Sequence, residues 1–269
     1  MDRAVIIAPF RTDHGRRQFV WETIVRPFYQ TSGYEMFEGD DPFPGKMFSI
    51  SRANNALARQ AGPWDVAFFI GADCIVPRAS LDRGIAYARE HQVVTLPHDQ
   101  FFQMEREAIG APWAKELPFG HEEEWVRHSR HKWSPNGKLY APSGVLVMPR
   151  EVWERIGGYD DRFEGWGFED AALLYAVSEF HRLSGPLYHY WHPVHDGRLR
   201  SIESTQIWRT EYRNAMPVPR QFLADEIRWL GGQEFIGAWS DEVALPYMGP
   251  ISRPDYVRRP RPIPWKGTY

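Results

Sequence analysis

Ala4-Val5-Ile6-Ile7-Ala8 is apolar at every position and stops at Pro9. A strand with one wet face alternates apolar and polar residues, whereas a strand buried on both faces does not. The run therefore reads as a buried parallel strand entering a loop. Val66-Ala67-Phe68-Phe69-Ile70 repeats the pattern and ends at Gly71-Ala72-Asp73. Val93-Val94-Thr95-Leu96 and Val145-Leu146-Val147-Met148 read the same way. Helical segments lie between them: Phe19 to Tyr29, with Pro27 near its end, Ser51 to Ala61, stopped by Gly62-Pro63, and Leu81 to His91. Gly33 to Phe37 reads as a short strand, Arg150 to Ile156 as a helix and Leu187 to Trp191 as a late strand. Strand and helix alternate over the first hundred residues. That is the signature of an α/β domain with a mainly parallel, Rossmann-like sheet flanked by helices. Such sheets bind ligands beyond the carboxyl ends of their strands. Arg11 and Asp73 stand just past two of those ends.

The bulk numbers narrow the class. At 269 residues the chain makes one large domain or two small ones. Its 43% hydrophobic content excludes wholesale disorder. A net charge of −3 argues against a general nucleic-acid binder. The 12 Trp exceed what a core needs, which points to a surplus lining a binding surface. Cys74 is the only cysteine, so no intramolecular disulfide can form. Met1-Asp2-Arg3 leads straight into the first strand with no leader pattern, and no apolar stretch reaches membrane-spanning length. The expectation is a soluble cytoplasmic protein. Residues 99 to 138 look irregular and hold Trp113, Trp125 and Trp133 with the acidic run Glu122-Glu123-Glu124. A loop-and-helix insertion and a solvated amphipathic helix both fit that stretch. Ser201 to Leu230 reads as helical with a break at Met216-Pro217-Val218-Pro219, followed from Pro246 by a proline- and arginine-rich tail. The division expected is a catalytic domain over 1–200 and an extension over 201–269.

Three constellations carry chemistry. Gly165-Trp166-Gly167-Phe168-Glu169-Asp170 sets a Trp between glycines and follows it with two acids. An indole face stacks on a sugar ring, and a carboxylate takes a proton from an attacking hydroxyl. The acids also open the apolar run Ala171 to Val177, where they would serve equally as the first turn of a helix. Asp73, just after a buried strand, is placed to hold a hard cation or to cap a turn. His189, His192 and His195 recur at three-residue spacing. Imidazole suits Mn²⁺ or Zn²⁺. On one strand His189 and His192 would face opposite sides, so a bend is needed to bring them together.

Taken in order, these segments resemble the GT-A-fold glycosyltransferases, closest to the β-1,4-galactosyltransferase-type group and its bacterial and phage relatives. Ala8-Pro9-Phe10-Arg11 resembles the opening Pro-Phe-Arg motif. Ser51-Arg52-Ala53-Asn54-Asn55 resembles the Asn-Arg-Ala helix start, and Gly71-Ala72-Asp73 stands where the group writes Asp-x-Asp. Gly165 to Asp170 resembles the Trp-Gly-x-Glu-Asp loop, and His189 with His192 the later metal-ligand segment. The resemblance covers roughly the first 200 residues. It implies an inverting transfer from a nucleotide-diphosphate sugar, with UDP-sugar the expected donor. Asp170 would be the general base and Glu169 its support. Pro9, Phe10, Arg11, Arg52, Asp73, Trp166 and Gly167 would bind the nucleotide sugar. Asp73, His192 and His189 would hold Mn²⁺ or Mg²⁺. The acceptor would be a glycan, a protein or a modified nucleobase. Gly71 departs from the motif's first acid, and Ala171-Ala172 replace the acids that follow Asp170 in the galactosyltransferases. Two rival readings stand beside it: a nucleotidyltransferase, for which Gly15-Arg16-Arg17 is a faint phosphate loop, and a sugar-binding protein without catalysis.

Overall fold

Strand β1 (Ala4–Pro9) lies inside a six-stranded sheet of order β2-β1-β3-β8-β5-β9. The other members are β2 (Glu35–Gly39), β3 (Val66–Ile70), β5 (Val94–Leu96), β8 (Val145–Pro149) and β9 (Phe180–Arg182). The computed structural model describes residues 2–12, 15–43, 47–104, 129–133, 144–165, 168–177, 180–192 and 202–212. β1 pairs in parallel with β2 and β3, and β5 pairs in parallel with β9. β8 runs antiparallel between β3 and β5. The architecture is mixed α/β with a mostly parallel central sheet, as the alternation of elements requires.

Period-two geometry divides the strand residues between two cores. Ile6, Ala8, Phe68, Ile70, Val145 and Val147 point to one face. They pack on a helix that begins as α1 (Arg16–Val20), widens into a π-helical turn (Trp21–Val25) and continues as α2 (Arg26–Gln30). Pro27 has no N–H to give the carbonyl four residues back, and the helix widens just ahead of it. Helix α4 (Arg78–His91) covers the same face. Val5, Ile7, Ala67, Phe69, Leu146 and Met148 point the other way, onto α3 (Ile50–Gln60), α5 (Arg150–Ile156) and α6 (Glu169–Val177). The result is three layers. Ile6 and Phe68 are fully buried, and truncating either to Ala would cost about 2–5 kcal/mol.

A second sheet sits beside the first, in order β4-β10-β6-β7. Its strands are β4 (Cys74–Ile75), β6 (Gln100–Met104), β7 (Ser129–Trp133) and β10 (Pro186–His189). β6 and β7 are two strands of the stretch expected to be an irregular insertion, and they pair antiparallel. Residues 105–128 and 134–143, with the rest of that stretch's Trp and His residues, lie outside the described part. A short helix α7 (Ile202–Ile207) and a π-helical turn (Trp208–Tyr212) close the described chain. The expected break at Met216–Pro219 and the proline-rich tail lie outside it. No helix among the described residues is long and apolar enough to cross a membrane.

Candidate active site and metal centre

Asp73 is the last residue before β4, and β4 pairs antiparallel with β10. The register sets Cys74 opposite His189 and Ile75 opposite Tyr188. Asp73 therefore comes to the end of β10, where the Tyr190 N–H donates to its carbonyl at 2.8 Å. His189 is the last strand residue, and the chain leaves the sheet before His192. That departure is the bend the spacing required. The His192 Nε2 lies 3.0 Å from Asp73 Oδ2, and His189 Nε2 lies 3.8 Å from Asp73 Oδ1. The three offer ligand atoms all within 4.8 Å of one another. Their side chains keep 15 to 23% of their surface, enough for a ligand to reach them.

Electrostatics suits a cation. Burial alone would raise the Asp73 carboxyl, but His189, His192 and Arg17 hold it well below the ordinary carboxylate range. Burial draws His189 down to about 4, so its imidazole is neutral at neutral pH and keeps a lone pair. The Gln103 side-chain amide lies 2.9 Å from His189 Nδ1 and orients the ring, as outer partners of metal-bound imidazoles do. Phe101 stacks on the same ring at 5.6 Å. One carboxylate with two imidazoles is a mixed O/N donor set, which favours Mn²⁺ over the all-oxygen preference of Mg²⁺.

Asp170 is the second residue of α6. Burial lifts its carboxyl to about 6, against the lowering pull of a helix N-terminus. A carboxylate held near 6 is ionised at neutral pH yet more basic than usual, the state a general base needs. Phe168, just ahead of the acids, takes a left-handed backbone at φ 78°. A bulky side chain there is strained. Its ring stacks on the fully buried Trp208 at 4.9 Å, which holds it in place. The Cys74 thiol is buried beside Asp73. It donates to Asp73 Oδ1 at 3.3 Å. Burial raises it well above the ordinary range, helped by the charges of Asp73 and Asp170. Both carboxylates thus act on one buried sulfur.

The other expected site residues are placed as follows. Pro9 ends β1, and the Phe10 N–H donates to the Gly39 carbonyl while its ring stacks on Trp21 at 5.5 Å. The Arg11 Nε donates to Asp40 at 2.7 Å, and its guanidinium lies 5.1 Å from the centre of the Phe48 ring. Arg52 pairs with the fully buried Asp41 at 2.6 Å and with Glu164. It lies in the first turn of α3, whose cap Ser49 accepts from the Arg52 N–H and donates to the Phe163 carbonyl. Arg52 thereby ties the 41–49 loop to the loop that carries the acids. Glu169 opens α6. Trp166, Gly167 and His195 lie outside the described residues. Contacts also cross the boundary expected at residue 200. Ser204 bonds both backbone groups of Glu164, Arg162 pairs with Glu211, and the Tyr212 hydroxyl donates to Asp160 at 2.7 Å. Sequence reasoning missed Gln103, which no spacing marks, and Phe168, whose strain appears only in the backbone.

No curated protein matches the sequence. Among solved structures, a variant of Drosophila β1,4-galactosyltransferase 7 in complex with manganese, UDP-Gal and xylobiose is similar at 13% identity, with a TM-score of 0.41, over 69% of this chain and 68% of that one. The catalytic domain of the same Drosophila enzyme with xylobiose is similar at 15% identity and a TM-score of 0.37, over the same shares. GalNAc-T7 with UDP, GalNAc and Mn²⁺ is similar at 12% identity and a TM-score of 0.42, over 88% of this chain and 54% of that one. At such distances the chemistry must be read from this chain's own residues. Residues 127–193 match the sequence family described as the N-terminal domain of galactosyltransferase. That stretch contains Asp170, His189 and His192.

Proposed function

We propose that the protein is an inverting, Mn²⁺-dependent glycosyltransferase that moves a sugar from a UDP-sugar to an acceptor hydroxyl on a glycan, a protein or a modified nucleobase. The observation that carries the reading is the Asp73–His189–His192 cluster, which stands with a carboxylate on α6 kept basic by burial. The donor set fits a divalent ion: one anionic oxygen, two imidazoles, and an amide orienting one ring. When bound, the ion offsets negative charge on the leaving diphosphate.

Asp170 does the proton work. The acceptor oxygen attacks the anomeric carbon, the bond from that carbon to the diphosphate oxygen breaks, and the acceptor proton passes to the Asp170 carboxylate. Configuration inverts because the single displacement comes from the face opposite the leaving group. Glu169 positions the acceptor, and Trp166 stacks on the donor or the acceptor sugar. Phe168 and the Arg52–Glu164 pair hold the loop's entry in place. We assign catalysis to residues 1–200 and treat 201–269 as an extension whose first turns brace that loop.

The test is a panel of nucleotide sugars incubated with and without Mn²⁺, with products resolved by NMR. The expected result is nucleoside diphosphate released only with Mn²⁺ and inversion at the anomeric carbon. Release of sugar 1-phosphate, with the nucleoside monophosphate transferred, would instead make the protein a nucleotidyltransferase. Retention at the anomeric carbon would remove Asp170 from the base role.

A further inference from the structure

Among the described residues only Gln92 and Phe168 take a left-handed backbone without being glycine. Gln92 follows the last turn of α4, a usual place for that conformation. Phe168 stands at the opposite kind of place, directly ahead of α6. The Ala172 N–H donates to its carbonyl at 2.8 Å. The Phe168 backbone thus supplies the first hydrogen bond of the helix that carries Glu169 and Asp170. A residue in that position normally has extended backbone. Left-handed backbone at a bulky residue, unopposed, yields to a relaxed form by a factor of roughly 5 to 30. A relaxed Phe168 would start α6 elsewhere and re-aim the Asp170 side chain, which lies in the first turn.

What opposes the relaxation comes from the far end of the described chain. The Phe168 ring lies flat on Trp208, with 4.9 Å between centres and 6° between planes. Trp208 is fully buried and Phe168 nearly so. Trp208 in turn stacks on Tyr212 at 5.8 Å and 11°, and the Tyr212 hydroxyl donates to the buried Asp160. Ser204 bonds the N–H and the carbonyl of Glu164 at 2.7 and 3.0 Å. The segment that presents the indole is therefore fastened to the loop at Asp160 and Glu164 and presses on it at Phe168. We propose that Trp208 is a positioning residue for Asp170: its ring holds the Phe168 backbone in the left-handed form and so fixes where α6 begins. Its effect on turnover rests on the reading of Asp170 as the base; its hold on the helix start does not.

The experiment uses the full chain. It reads kcat for transfer, Mn²⁺ and UDP affinity, and the Asp170 carboxyl by carbon-13 NMR, the signal assigned by its loss in Asp170→Asn. Trp208→Ala should lower kcat about 5- to 30-fold. Mn²⁺ and UDP affinities should match the parent, because the metal cluster is carried by β4 and β10; a general loosening of the fold would weaken them. The Asp170 midpoint should fall from about 6 toward 3.8 as the packing opens to water. Two changes at Phe168 separate backbone from bulk. Phe168→Ala and Phe168→Gly both remove the ring, but only glycine holds a positive φ freely. Phe168→Ala should repeat the loss seen in Trp208→Ala. Phe168→Gly should lose less, and adding Trp208→Ala to it should cost little more. Equal losses for the two Phe168 variants, or parent-like kcat and titration in a folded Trp208→Ala, overturn the proposal. Should Trp208→Ala fail to fold, the pair at Phe168 decides. A lowered Asp170 midpoint with parent-like kcat upholds Trp208 and removes Asp170 from the base role. If the parent transfers no sugar, the titration decides alone: a lowered midpoint upholds the proposal and an unmoved one overturns it.

Discussion

Replacing Asp170 with Asn should raise stability and remove turnover together. The carboxyl sits at about 6 in the folded protein, against 3.8 for an unperturbed Asp. The folded state therefore binds the proton more tightly than the unfolded chain does. Ionisation penalises folding once the pH passes the unfolded value, and the penalty is complete above about pH 6. The gap amounts to about 3 kcal/mol, an upper bound because the side chain is partly exposed and water screens it. Asparagine carries no charge and escapes the penalty. Urea unfolding of the two proteins without metal should give nearly equal stability near pH 4. The variant should gain between pH 4 and 6 and hold a steady advantage above that. Thermal midpoints at pH 7.5 should rise by roughly 5–10 °C. Turnover should fall about 100- to 10,000-fold, the contribution of a general base, with UDP affinity retained. In the parent, kcat should climb as the pH rises through about 6. Equal stability at every pH would show that Asp170 is not desolvated. A stabilised variant that still transfers sugar would show that it is not the base.

Other perturbations probe the frame around the site. Arg52→Met strands the buried Asp41 and frees Glu164; unfolding free energy should drop by about 3–5 kcal/mol, and kcat should fall as well because the loop ahead of Asp170 loosens. Gly158→Ala should cost more than about 1 kcal/mol in urea unfolding, since φ is 73° and an added Cβ would run into the Asn55 amide that bonds both backbone groups of Tyr159. Gln103→Leu should weaken Mn²⁺ binding about 10- to 100-fold by releasing the His189 ring, as read by electron paramagnetic resonance, with little change in thermal midpoint.

The central sheet was legible because burial on both faces leaves an uninterrupted apolar run, as in Ala4 to Ala8 and Val66 to Ile70. Of the second sheet only β10, expected as the strand from Leu187 to Trp191, was. β4 has two residues, too few to show any period, and in the central sheet β9, with three, was hidden for the same reason. β6 carries a register irregularity between Phe101 and Phe102 that spoils alternation. Strand direction was also hidden: Val145 to Met148 reads as one more buried strand, and only pairing reveals that it runs against its neighbours. The metal cluster was half legible. Spacing supplied His189 and His192 and demanded a bend, and the end of β10 supplies it. Cross-strand register, absent from the sequence, brings Asp73 to the histidines over a separation of more than a hundred residues. Arg52 shows the limit of motif reading. Its place in the helix start suggested nucleotide contact, while the fold engages it with two acids that no local pattern linked.

The most direct test of whether Asp73 and Asp170 face one pocket is anomalous diffraction at the manganese edge, from crystals of the full chain soaked with Mn²⁺ and UDP. One strong peak should stand among the side chains of Asp73, His189 and His192, with the diphosphate between that peak and the Asp170 carboxylate. A manganese peak bound elsewhere, or UDP seated away from Asp170, would contradict the account.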